Sequence, residues 1–361
     1  MEAKYVQWRA TYLRSSPAGL FCFYNGKGEH GDALTCSEAH GYAMLIAVLH
    51  RNRADFDGLF SFFLAFRNGN GLMKWQIRSP DPPTAVTQLY VDEDGSTSAT
   101  DGDIDIASSL YLATRVFGEE DGRYRAEADA LTSAILRYTI HPELGTPLLG
   151  DWANRDSSDG IKLYDATRTS DFILSAFALF ARYHRDPAER QRWEWVLERT
   201  KHVALSCAGP TGFLPDFLQW DGAKWCSTKK KLLESDRDGA LNWNACRTPW
   251  RLAHYLAVTG DTTILPMLQH AHHTVRSEKA FKFPNIPAGV QIHGHVKALE
   301  DYSDKAFIAP VGYLCYVLRD AEGQMQCVRA LEDEAEGYFG DTIDLLIAEQ
   351  ASHAHEWFSG P

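Results

Sequence analysis

Apolar residues recur along this chain at the spacing of an α-helix. Tyr42, Leu45, Ile46 and Leu49 follow the i, i+3, i+4, i+7 rule, and so do Ile173, Ala176, Phe177 and Phe180. Tyr5, Trp8 and Tyr12 share one face of a first helix. The same pattern predicts helices over 104–117, 125–138, 189–205, 249–258, 264–277 and 305–319. Pro249 suits a first helical turn, where its missing N–H is no loss. Strand signals are few and short. Segments 24–36, 78–103, 141–165, 208–242 and 282–304 are rich in Gly, Asp, Asn and Pro and too long to be mere connectors. No linker or low-complexity stretch divides the chain. The expectation is one all-α domain over residues 1–361, built of many antiparallel helices with a cleft formed by loops at one end.

Composition removes several classes of function. The 361 residues are 45% hydrophobic and 23% charged, which is ordinary for a folded domain. A net charge of -12 argues against nucleic acid, whose phosphates need basic patches. No apolar run approaches the roughly 20 residues that span a bilayer. The stretch MEAKYVQWRATYL lacks a basic start followed by an apolar core, so no signal peptide is visible. Seven scattered cysteines with no C-x-x-C pair read mostly as buried free thiols, with one or two disulfides left open. Aromatics reach 12%, ten of them Trp, which suits stacking on flat ligands as well as a large core.

Acids gather at three loop–helix junctions. Glu38 opens the strongly apolar helix of SEAHGYAMLIAVL, where a glutamate also complements the helix dipole. A proton donor at that position needs burial or a neighbouring carboxylate to raise its pKa. Asp101, Asp103 and Asp105 crowd a second helix start, three acids where one N-cap would suffice. Glu234, Asp236 and Asp238 precede the third, in LLESDRDGALNWNACRTPWRLA. Two carboxylates facing across a cleft are the working parts of glycoside hydrolysis, one donating a proton and the other activating water or attacking. Spacing in sequence leaves open whether these acids converge.

Four blocks in order resemble glycoside hydrolase family 8: SEAHGYAMLIAV, ATDGDIDIASSLYLATRVF, NWNACRTPWRLA and YSDKAFIAP. Ala39 and Ala43 stand where the family more often has glycine, and Tyr111 fills a usually aliphatic slot. The resemblance runs from about residue 5 to residue 318. It implies an (α/α)6 barrel, an inverting mechanism and a β-1,4-linked polysaccharide or oligosaccharide substrate, with no cofactor. It matches Glu38 to the general acid and Asp101 to the aspartate that contacts the sugar at the cleavage point. The cellulase branch has aspartate as base where this chain has Asn244, and an amide does not accept a proton from water at neutral pH. A chitosanase- and lichenase-like branch has asparagine there and takes a glutamate from a preceding loop. Glu234, ten positions upstream, is then the expected base, with Asp236 and Asp238 behind it.

The resemblance therefore predicts a single displacement, with acid and base about 6.5–9.5 Å apart to admit water. Asn244, Arg247, Asp103, Tyr42, Trp75, Trp152, Trp243 and Tyr302 are the expected substrate-binding residues. Chitosan is the preferred substrate on this reading, because of the asparagine and the acidic balance. Mixed-linkage β-glucan and cellulose follow, and the remaining alternative is a catalytically inactive carbohydrate-binding protein on the same scaffold. The histidines of QHAHH, with His293 and His295, lack a companion acid motif, so no metal is expected. A monomer acting outside the cell completes the expectation, with no nucleic-acid or membrane partner.

Overall fold

Among the described residues, six long helices form a closed ring, and six more wrap it. The computed structural model describes residues 1–118, 122–156 and 160–358. Its long helices among the described residues are α1 (Glu2–Tyr12), α2 (Ser37–Leu49), α3 (Arg53–Ala65), α4 (Thr100–Val116), α5 (Arg123–Tyr138), α6 (Leu174–Tyr183), α7 (Pro187–Cys207), α8 (Thr248–Thr259), α9 (Leu265–Ser277), α10 (Lys305–Val317), α11 (Ala321–Glu332) and α12 (Tyr338–His353). The even-numbered helices pack in the order α2–α4–α6–α8–α10–α12 and back to α2. Each odd-numbered helix packs outside: α3 on α2, α5 on α4, α7 on α6, α9 on α8, α11 on α10, and α1 on α12. This is the expected (α/α)6 barrel.

Burial follows the ring. In α2, twelve of thirteen residues are buried and only Glu38 is partly exposed. A helix that is apolar all round must lie inside, because no face of it gains from water. The outer α7 buries only Trp193, Val196, Thr200, Lys201, Val203 and Ala204 of its 21 residues.

The periodicity placed nine helices and passed over α3, α11 and α12. In α3, Gly58 breaks a phenylalanine-rich run, and a Cβ there would strike the Leu20 side chain at 2.6 Å. In α11 and α12 the apolar residues are interleaved with acids and glutamines, which weakens the stripe. Caps mark the starts of α3 and α11 instead: Asn52 accepts the Asp55 amide at 3.1 Å, and Asp320 accepts that of Gly323 at 2.9 Å.

The long loops carry short antiparallel strands: β1 (Leu13–Ser16) with β2 (Gly19–Cys22), β3 (Ala33–Cys36) with β4 (Gln76–Arg78), and β5 (Ala166–Arg168), β6 (Phe217–Trp220) and β7 (Trp225–Ser227) in one sheet. A last pair joins β8 (Val290–Gln291) to β9 (Lys297–Ala298). Residues 157–159 of the expected 141–165 loop lie outside the described residues. All seven cysteines are free thiols, five of them buried. No helix among the described residues is long and apolar enough to cross a membrane.

Candidate active site

The inner helices all begin at the same end of the ring, and the three acidic junctions meet there. The β3–β4 pair hands the chain into α2, with the Ser37 amide bonded to the Trp75 carbonyl at 2.9 Å, and this fixes Glu38 in the first turn. Asp101 lies in the first turn of α4. The two helices approach closely because Gly41 and Gly102 lie between them. A Cβ at Gly41 would sit 2.8 Å from Asp105 Cβ, and one at Gly102 would sit 2.5 Å from Ser37 Oγ. Real side chains do not tolerate such contacts, so glycine is required at both positions.

Arg247, at the end of the one-turn helix Ala245–Arg247 that leads into α8, joins the parts. Its Nη1 donates to Glu38 Oε2 at 2.7 Å, Tyr42 Oη at 2.8 Å and Asp101 Oδ2 at 2.9 Å. Its Nη2 donates to Ser170 Oγ at 2.9 Å and Asn244 Oδ1 at 3.1 Å. The guanidinium also lies over the Phe339 ring of α12, at 5.8 Å. Trp243 meets Phe307 of α10 edge-on at 5.0 Å, so α10 also starts beside this cluster.

Asn244 extends the network to the third junction. Its Oδ1 faces Arg247, so its Nδ2 must point the other way, and it donates to Glu234 Oε2 at 2.8 Å. Arg168 of β5 holds the other oxygen of Glu234 at 3.2 Å. Two side chains therefore connect Glu234 to Glu38. The surroundings of these two acids differ. The Glu38 side chain is 22% exposed and that of Glu234 42%. Burial raises the Glu38 pKa to about 7; Arg247 opposes the shift and Asp101 adds to it. Burial also resists ionisation of Asp101, but Arg247 and Arg168 outweigh it, and its pKa falls below the usual carboxylate value.

The loop bearing Glu234 is anchored twice. Leu232 and Leu233 pack on a small satellite core of Leu148, Leu149, Ala153, Tyr164 and Phe217. Asp238 is buried and accepts the amides of Leu232, Leu233, Glu234 and Ser235 at 2.8–3.1 Å. That explains one of the three acids at this junction: Asp238 organises the loop. Asp236 is exposed.

Two expected lining residues lie deeper than the cleft. Asp103 is fully buried, and its Oδ1 accepts the Met73 amide at 2.8 Å, so it ties down the segment before β4 rather than meeting a sugar. Tyr42 is likewise buried and acts as an acceptor for Arg247. Trp75, Trp152 and Trp243 are half-buried and Tyr302 is 51% exposed. QHAHH lies on the outer α9, where His270 bonds the Pro210 carbonyl and His272 bonds Asp320.

Two buried acids in the cluster escaped the sequence reading. Asp216 accepts the amides of Asn242 at 3.0 Å and Ala245 at 2.7 Å, and burial lifts its pKa to about 7. Asp171 lies beside Ser170 in the turn before α6. Neither stands in an acidic run. The available hint for both was an acid inside an otherwise apolar segment, PDFL and SDFIL.

This arrangement, carboxyl groups of contrasting environment linked across the mouth of an (α/α)6 barrel, is suited to cleaving glycosidic bonds. Residues 26–353 match the model of glycosyl hydrolases family 8, and the chain belongs to that family: it is a glycoside hydrolase. Among curated relatives, a beta-glucanase of Niallia circulans is 30% identical over 360 residues, covering 96% of this chain and 82% of that protein. An endoglucanase of Bacillus sp. (strain KSM-330) is 26% identical, over 95% of this chain and 73% of the other. Among solved structures, the apo beta-1,3-1,4-glucanase from Paenibacillus sp. X4 superposes with a TM-score of 0.84 at 28% identity, covering 99% of this chain and 92% of that one.

Proposed function

We propose that this chain is an inverting endo-β-glucanase whose best substrate is mixed-linkage β-1,3-1,4-glucan. Glu38 is the general acid, Glu234 the general base, and Asp101 stabilises the oxocarbenium-like transition state. The observation that carries the assignment is the Glu234–Asn244–Arg247–Glu38 chain of hydrogen bonds. It sets a half-buried carboxyl, with a pKa of about 7, opposite a solvent-accessible carboxylate. The first can carry a proton to the glycosidic oxygen near neutral pH, and the second can take one from the attacking water. Asn244, an amide, holds the base in place instead of serving as one.

Glucan is preferred to chitosan on two grounds. The names of the relatives above point to glucans. In addition, Lys229, Lys230 and Lys231 are exposed on the segment leading to Glu234, and they repel a chain of ammonium groups. Glu38, Asp101 and Glu234 are each ion-paired with Arg247 or Arg168, so none of the three is free for a polycation. Action on a polymer of this size implies work outside the cell.

The test is reducing-sugar release from barley β-glucan, carboxymethylcellulose and chitosan by wild type, Glu38→Gln and Glu234→Gln. The product anomer is followed by proton NMR. Cutting of β-glucan first, an inverted product and two inactive variants are the expected result. Best activity on chitosan would reverse the substrate assignment. Binding without cutting by the wild type would make the chain a carbohydrate-binding protein.

A further inference from the structure

Asp171 is fully buried in the one-turn helix Thr169–Asp171 at the entry to α6. Its Oδ1 accepts from Ser170 Oγ at 3.1 Å, and that same Ser170 oxygen accepts from Arg247 Nη2 at 2.9 Å. No donor among the described residues reaches Oδ2. The charged groups acting on it are Asp101 from α4, Arg168 from β5 and Arg247 from the turn before α8. Arg247 already serves Glu38 and Asp101, and Arg168 serves Glu234. An ionised Asp171 would thus be a buried charge with one bare oxygen, hydrogen-bonded to neither arginine and sharing the field of Arg168 with Glu234, which is costly.

We propose that Asp171 is a positioning residue that stays protonated at neutral pH and thereby leaves the charge of Arg247 to Glu38 and Asp101. The inference rests on the reading of Glu38 as the general acid. Burial, followed by the charge of Asp101, lifts the Asp171 pKa to about 8, in keeping with the geometry. Above that pH its proton passes to solvent. The new carboxylate competes for Arg247 through Ser170 and repels Asp101, and the acid half of the site loses its counter-ion. Alkaline inactivation then involves two protons, one from Glu38 and one from Asp171.

The experiment compares wild type, Asp171→Asn and Asp171→Ala, with kcat/KM on β-glucan measured across pH. The alkaline limb of log kcat/KM should approach a slope of about -2 in wild type and about -1 in Asp171→Asn, since only Glu38 then titrates. On the acid side of the limb Asp171→Asn should stay within roughly threefold of wild type, while Asp171→Ala, which removes the link to Ser170, should fall by roughly tenfold or more. A purely structural role would lower activity at every pH and leave the slope unchanged, and that result overturns the proposal. Difference infrared spectra of wild type against Asp171→Asn give a second, activity-independent readout. A protonated-carboxyl C=O band present near pH 6 and gone near pH 10 is expected, and its absence near pH 6 overturns the proposal. If wild type cuts no glycan, the function reading fails while the infrared band still decides the state of Asp171.

Discussion

Asp101 and Asp105 lie one turn apart on α4, and Arg247 and Arg251 are offset by the same four residues, so the barrel holds two Arg–Asp pairs stacked one turn apart. The lower pair is closed. Arg251 meets Asp105 through both terminal nitrogens, Nη1 and Nη2, at 2.9 and 2.5 Å, with both side chains almost completely buried. The upper pair is shared: Arg247 divides its donors among Glu38, Asp101, Tyr42, Ser170 and Asn244. A guanidinium committed to one carboxylate fixes two helices relative to one another. One divided among five partners, two of them carboxyl groups, ties the charge of Glu38 to that of Asp101. The same chemistry, moved one turn towards the mouth, changes from a closed pair to a shared one.

The sharpest way to break the symmetry is at Glu38. Glu38→Gln should lower kcat by about 10²–10⁴-fold, the usual worth of a general acid, while the thermal midpoint stays near that of wild type. Arg251→Met should do the opposite. It strands Asp105 in the interior and should cost about 3–5 kcal/mol in denaturant unfolding, with activity per folded molecule retained. Arg247→Lys keeps a charge but loses the fork, so kcat/KM should fall by roughly 10–100-fold. The weaker cation should also move the alkaline limb above the wild-type position near the Glu38 pKa of about 7. The smallest effect tests the sign of a single neighbour. Asp101→Asn removes a like charge from beside Glu38, so the alkaline limb of the residual activity should move to lower pH. Movement in the other direction would mean that Asp101 acts on Glu38 by some route other than its charge.

How much of this was legible beforehand depended on whether a residue's role was local. Glu38 and Asp101 head helices whose apolar stripes are plain in the sequence, so the two junctions could be found. The substitution of asparagine at 244 could be seen too, and it directed attention to Glu234. Asp103 was misread because three acids in five residues look like one cluster, whereas helical geometry turns successive residues to different sides. One faces Arg247, one the Met73 amide and one Arg251. Asp171 and Asp216 were missed because their environment is made by distant segments, which no local pattern records. The ring order of the helices was likewise not local. The resemblance implied the barrel but not this order, which the helix contacts show, and α12, which closes the ring against α2, left no clear stripe of its own.

The common orientation of the six inner helices has a consequence for how such a chain can change over generations. Every connection from an outer to an inner helix ends at the same mouth, so variation in any one of them is sampled at the same place. The floor, pinned where Gly41 meets Gly102, can be inherited unaltered beneath it. A functional group can then migrate between segments without refolding anything. The carboxylate at residue 234 touches the side chain of residue 244 at 2.8 Å, so an acid borne on either segment would be delivered to nearly the same point in space.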